Sequence, residues 1–185
     1  MSSGFSNLTL ESERKATLFS TQPHIFMRLV DENGQITSLK KMAKQHNKTL
    51  VTQFIYTQCK TLCLSLGNNF QQAQTQIKAQ DLAQKIQLLS ISFDIANDSP
   101  ARLKNYRTRM HADENIWSMA TMKTTSDLIK AKQQLGLIVL PTKDKEFVHN
   151  SAFLVVSRTG KLLGIYNDDD VQGALMLAAA HSQQR

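Results

Sequence analysis

Two short segments constrain the chain most: "TLVTQFIY" (49–56) and "IQLLSISFD" (86–94). Both are nearly continuous in apolar, β-branched and aromatic character, and both are too short for a helix. That pattern predicts strands buried on both faces, as in a parallel sheet covered by helices. The residues between them supply such a helix. Leu62, Leu66, Phe70, Ala73 and Ile77 recur at helical spacing and form one apolar stripe.

The remaining segments extend this alternation. "HIFMRLV" (24–30) and "QITSL" (35–39) predict a hairpin about Asn33-Gly34, a dipeptide tolerant of positive φ, with a short helical connection over 40–47. Asp98, Ser99 and Pro100 predict a helix start within 97–110. "IWSMAT" (116–121) reads as a strand, and "TSDLIKAKQQLG" (125–136) as a helix closing on Gly136. "FVHNSAFLVVS" (147–157) and "LLGIY" (162–166) read as two strands joined by a turn at 158–161, and 168–185 as a last helix. Residues 1–22 are polar and aperiodic and read as an N-terminal arm, leaving 23–185 as one domain. The class is α/β with a mixed central sheet flanked by helices.

Composition excludes several functions. Hydrophobic residues make up 41% of the 185 and charged residues 20%, a globular balance. The net charge of +7 could draw acidic partners, but no dense Lys/Arg block is present. Aromatics are 6% and are not interleaved with basic residues, so no nucleic-acid platform is expected. No apolar stretch approaches the ~20 residues of a membrane span. The first residues lack the pattern of a signal peptide, so the chain is either cytosolic or has lost a targeting segment.

Both cysteines, Cys59 and Cys63, lie in "YTQCKTLC", at the carboxyl end of the first buried strand. In open α/β sheets that edge is where chemistry gathers. Three readings stand: a disulfide, a metal site, or two ordinary buried thiols. Residues four apart on one helix hold Cβ atoms about 5–6 Å apart, too far for an unstrained disulfide. Cys59 in the turn and Cys63 in the first helical turn would close that gap. A helix N-terminus and Lys60 would both favour thiolate. Two thiolates suit Cu(I), with an imidazole as third donor, while zinc would want a fourth ligand. Of five histidines, His24, His46, His111, His149 and His181, only His149 sits in a β-rich segment near the end of the core. Met110, Met119 and Met122 could offer thioethers but share no period, and read as filling side chains.

"FIYTQCKTLC" (54–63) resembles the signature of the Sco/SenC proteins, thioredoxin-like copper chaperones of cytochrome c oxidase. "DENGQITSL" (31–39), "SISFDIANDSPARLKNY" (90–106) and "HNSAFLVVSRTGKLLGIY" (149–166) resemble further family segments in the same order. The resemblance implies a thioredoxin-like fold with an N-terminal β-hairpin, and copper held by Cys59, Cys63 and His149, the last 86 positions beyond Cys63. It makes Asp94 and Asp98 structural or partner-facing. It implies a monomer that serves the copper-site subunit of cytochrome c oxidase or another copper protein. Its place would be the periplasm, free or membrane-tethered, or else the mitochondrial intermembrane space, with the membrane anchor removed from this chain. The second function it allows is a thiol–disulfide oxidoreductase that reduces a partner's copper-ligand cysteines, with Cys59 and Cys63 as its catalytic redox pair. A plain structural domain is the third. The sequence departs from the family at Lys60 and Leu64, where prolines are usual, and at Val148, where Asp is common. The first two should loosen the cysteine loop; the third should weaken support of the imidazole.

Overall fold

The computed structural model describes residues 17–18, 20–58, 62–143 and 146–182, with 62–67 described as backbone alone. The strands are β1 (Arg28–Asp31), β2 (Ile36–Ser38), β3 (Thr49–Ile55), β4 (Ile86–Ser92), β5 (Trp117–Met122), β6 (Val139–Pro141), β7 (Phe147–His149), β8 (Phe153–Val156) and β9 (Leu162–Tyr166). The helices are α1 (Leu39–His46), α2 (Leu62–Ala79), α3 (Pro100–Arg109), α4 (Thr125–Leu135) and α5 (Val171–Ser182). Seven strands form one sheet in the order β2-β1-β5-β4-β3-β8-β9, and β6 and β7 form a separate hairpin.

β3, β4 and β5 run parallel at the centre, with Thr49 opposite Ile86 and Leu88 opposite Trp117. Every residue of β3 and β4 is buried, because helices cover both faces. Leu50, Phe54, Leu89 and Ile91 pack with residues of α1 and α4. Val51, Ile55, Ile86 and Leu88 pack with Phe70 and Ile77 of α2, Leu103 of α3 and Leu175 of α5. Hydroxyl and amide groups inside the sheet find one another: Gln53 Nε2 and Trp117 Nε1 both donate to Ser90 Oγ at 2.9 Å. Met110 and Met119 fill one side of the core and Met122 the other, so the three thioethers share no site.

Within the aperiodic N-terminal arm, Thr17, Leu18, Ser20 and Thr21 are helical, and Leu18 packs on the core. Three expectations need correction. The expected strand over 24–30 narrows to β1, with His24 only bridged to Lys161, because this segment crosses from the β8–β9 turn to the far side of the sheet. At the first hairpin only Gly34 takes positive φ, at 80°. Asp31 Oδ1 accepts the N–H groups of Asn33 and Gln35, so the turn is held by a side chain rather than by two left-handed residues. The expected strand 147–157 is two strands. β7 pairs with β6, a segment not foreseen as a strand, and β8 joins the main sheet.

Candidate metal and thiol site

Cys63 is the second residue of α2, as the sequence predicts, while Cys59 lies outside the described residues. β3 ends at Ile55 and runs into Tyr56 and Thr57, both buried. Asp98 Oδ2 accepts the Thr57 N–H at 2.8 Å and Oδ1 accepts its hydroxyl at 2.5 Å. Ser92 Oγ donates to the same carboxylate at 2.6 Å. Asp98 is 2% exposed, so three donors hold a carboxylate out of water. Both aspartates are turned inward rather than toward the surface. Asp94, also buried, is held by Asn97 and by its own N–H on Ser92 Oγ. The helix cap falls to Ser99 alone, whose side chain accepts from Arg102.

His149 closes β7 and is 4% exposed. Its ring lies 5.0 Å from Phe93 and 6.1 Å from Tyr56, centroid to centroid. Phe147 packs edge-on to both of those rings. The Tyr56 hydroxyl donates to the Phe147 carbonyl at 3.4 Å and accepts its N–H at 3.3 Å, pinning β7 to the residue that follows β3. Antiparallel rather than parallel pairing brings His149 to this edge. β8 runs antiparallel to β3, with Thr52 opposite Leu154, so the start of β8 lies beside the end of β3. Antiparallel pairing and the tyrosine together deliver the histidine.

His149 Nδ1 is 3.0 Å from the Asn150 carbonyl oxygen. A carbonyl can only accept, so Nδ1 carries the proton and Nε2 presents a lone pair. Nε2 is buried with no hydrogen-bond partner among the described residues. Burial pushes the His149 pKa below the ordinary histidine value, against the Asn150 hydrogen bond and the Asp168 charge, which pull it up. The ring is thus neutral at pH 7. Val148 is 59% exposed on the opposite face of β7, and the support expected from an acidic residue there comes instead from the Asn150 backbone. Among the described residues, which omit Cys59 and the Cys63 side chain, no group of three His, Cys, Asp or Glu side chains could hold a metal ion.

The aromatic nest of Tyr56, Phe93 and Phe147 was not anticipated. Part of it was readable: Phe147 and His149 are two apart on one strand and so share a face. Tyr56 and Phe93 follow strands that are neighbours only in the folded sheet.

The SCO1/SenC family model matches residues 21–183. The chain belongs to the SCO1/SenC family. Among its relatives, the SCO1 protein homolog of Bacillus subtilis (strain 168) is 24% identical over 151 residues, spanning 80% of this chain and 74% of that protein. Among solved structures, BsSco, described with a disulfide switch and as a member of the Sco family of cytochrome c oxidase assembly proteins, is similar at a TM-score of 0.75 and 22% identity. That match covers 89% of this chain and 96% of BsSco. Copper-bound Arabidopsis thaliana ScoI gives 0.71 at 16% identity, covering 88% and 99%. A SCO1/SenC family lipoprotein of Bacillus anthracis gives 0.70 at 22%, covering 83% and 93%. The SCO1/SenC fold is thioredoxin-like, and the mixed sheet found here agrees with it. No helix among the described residues is long and apolar enough to cross a membrane.

Proposed function

We propose that the chain binds copper as cargo through Cys59, Cys63 and His149, and passes it to a copper protein during cytochrome c oxidase assembly. The observation that carries this reading is the His149 imidazole: buried, neutral, fixed through Nδ1, and presenting an Nε2 with no partner among the described residues. Leaving a buried acceptor unmade costs about 1–3 kcal/mol, and a metal ion would recover it. Tyr56, which touches the ring, precedes Cys59 by three residues, a reach of about 11 Å at full extension. Two soft thiolates and one imidazole match Cu(I), which accepts three-coordination. The copper-bound and oxidase-assembly descriptions of the relatives support the same cargo and pathway.

The domain would run from residue 23, after an arm at 1–22 whose Leu18 packs back on the core, a division supported by the family match beginning at 21. A membrane-tethered placement facing the periplasm is in keeping with the lipoprotein relative, and the chain would act there as a monomer. The partner would be the copper-site subunit of the oxidase. Anaerobic Cu(I) and Cu(II) titration of the reduced protein tests the reading. Wild type should bind one copper, and His149→Ala should bind it 10- to 100-fold more weakly while still forming a disulfide. If wild type binds no copper, or binds it equally well without His149, the second role takes its place: a thiol–disulfide oxidoreductase using Cys59 and Cys63 alone.

A further inference from the structure

We infer that Asp98 and Arg109 are positioning residues for the cysteine loop, gripping Thr57 on both sides so that Cys59 is held for closure with Cys63. The inference rests on the proposed role of that cysteine pair.

Thr57 is the last buried residue before the loop, two positions ahead of Cys59. Its N–H and hydroxyl are taken by Asp98, at 2.8 and 2.5 Å. Its carbonyl accepts from Arg109 Nη2 at 2.7 Å. Every polar group of Thr57 is therefore bound by residues flanking or closing a single helix. Asp98 precedes the N-cap of α3 and Arg109 is its last residue. α3 in turn is anchored: Leu103 and Tyr106 are fully buried in the core. The Arg109 guanidinium is steadied by the Tyr106 ring, 5.2 Å from its centroid.

The chemistry explains why such a brace belongs here. Proline fixes φ, and where the resembled family usually has prolines this chain has Lys60 and, within the first turn of α2, Leu64. Two thiols close into a disulfide more favourably the higher the effective concentration at which they meet, and that rises as the backbone leading to them is restricted. Fixing Thr57, which leads into Cys59, supplies such a restriction from outside the loop. Arg109 makes one hydrogen bond to Thr57 through one N–H, so a lysine reaching the same carbonyl should serve.

The test is equilibration of the intact protein with reduced and oxidised glutathione. In closure the protein loses two S–H bonds and gains one S–S bond, while the S–S bond of oxidised glutathione breaks to two thiols. Arg109→Met should lower the closure constant about tenfold, equivalent to about 30 mV. Arg109→Lys should restore it to within twofold of wild type. Asp98→Asn should act in the same direction as Arg109→Met, and Arg109, being exposed, keeps the test alive if that buried substitution fails to fold. A closure constant unchanged within twofold in Arg109→Met, whatever its melting temperature, overturns the proposal. So does a lysine variant no better than methionine. If wild type forms no disulfide, the redox reading fails separately, and the brace is then read by iodoacetamide at one fixed pH. Release of the loop should speed alkylation of Cys59 at least threefold in Arg109→Met, and equal rates overturn the brace.

Discussion

His149 donates its Nδ1 proton to the carbonyl of Asn150, its own neighbour in the chain, at 3.0 Å. The bond needs no distant partner, so it fixes the tautomer as soon as β7 forms. Apart from Phe147, two residues back on the same strand, everything else about the ring is non-local. Phe93, Tyr56 and Phe147 enclose it, and their apolar faces offer nothing to Nε2.

A phenylalanine should suit this pocket better than the native residue. His149→Phe removes a buried acceptor that has no partner among the described residues and replaces it with a ring among rings. We expect stability equal to wild type or higher by about 1 kcal/mol in urea denaturation. Copper binding should weaken in the same variant as it does in His149→Ala. A clear destabilisation would show that the imidazole is held by polar contacts beyond Asn150.

Acid should destabilise the fold earlier than its carboxylates alone would cause. The folded pKa of His149 lies below its ordinary 6.5, so the unfolded chain takes up the proton first as pH falls. Its full contribution is present above about 6.5 and drains away below that, toward the folded value. His46 and His181, also lowered by burial, act in the same direction. Urea midpoints should therefore fall between pH 7.5 and 5.5, and fall less in His149→Phe, where the other two histidines remain. Equal slopes would remove His149 from the account.

Asp127 ties α4 to β1. It is 1% exposed, accepts the Arg28 N–H at 3.1 Å and is hydrogen-bonded to the Thr124 cap hydroxyl. Burial would raise its pKa, but the hydrogen bonds from Thr124 and Arg28 outweigh this and leave it lowered. Its contribution is therefore present above the ordinary carboxylate range and lost as pH falls through the depressed folded value. Asp127→Asn should cost about 1–3 kcal/mol at pH 7, measured by denaturant unfolding. The difference from wild type should shrink in acid.

Gly160 closes the β8–β9 turn at φ +85°, and a Cβ there would stand 3.1 Å from Lys40 Cβ. Its carbonyl also accepts the Ile25 N–H, joining the turn to the segment before β1. Gly160→Ala should cost about 1 kcal/mol or more, while Gly173→Ala, on the first turn of α5 at ordinary φ, would strain only the Asp170 carboxylate and should cost less. Comparing their thermal midpoints checks the ranking.

By itself the sequence determined what nearest neighbours decide. Continuous apolar runs specified β3 and β4, because a strand buried on both faces has no polar side to show. Gly136 ended α4 in the left-handed conformation, and Cys63 fell in the first turn of α2, as capping and periodicity required. The tertiary structure decided where residues with several possible partners went. Asp98 has the chemistry of a helix cap, yet Thr57 and Ser92 claim it and Ser99 caps α3 instead, because an uncompensated carboxylate cannot stay buried. β7 left the segment it seemed to share with β8 because β6, hidden in "LGLIVLP", offered it a partner. His149 could be selected from sequence as a donor, and its tautomer is set by its neighbour Asn150, but its burial and an Nε2 with no partner among the described residues arise from rings brought in by other segments. Desolvation is a property of everything packed around an atom, and spacing along a chain does not encode it.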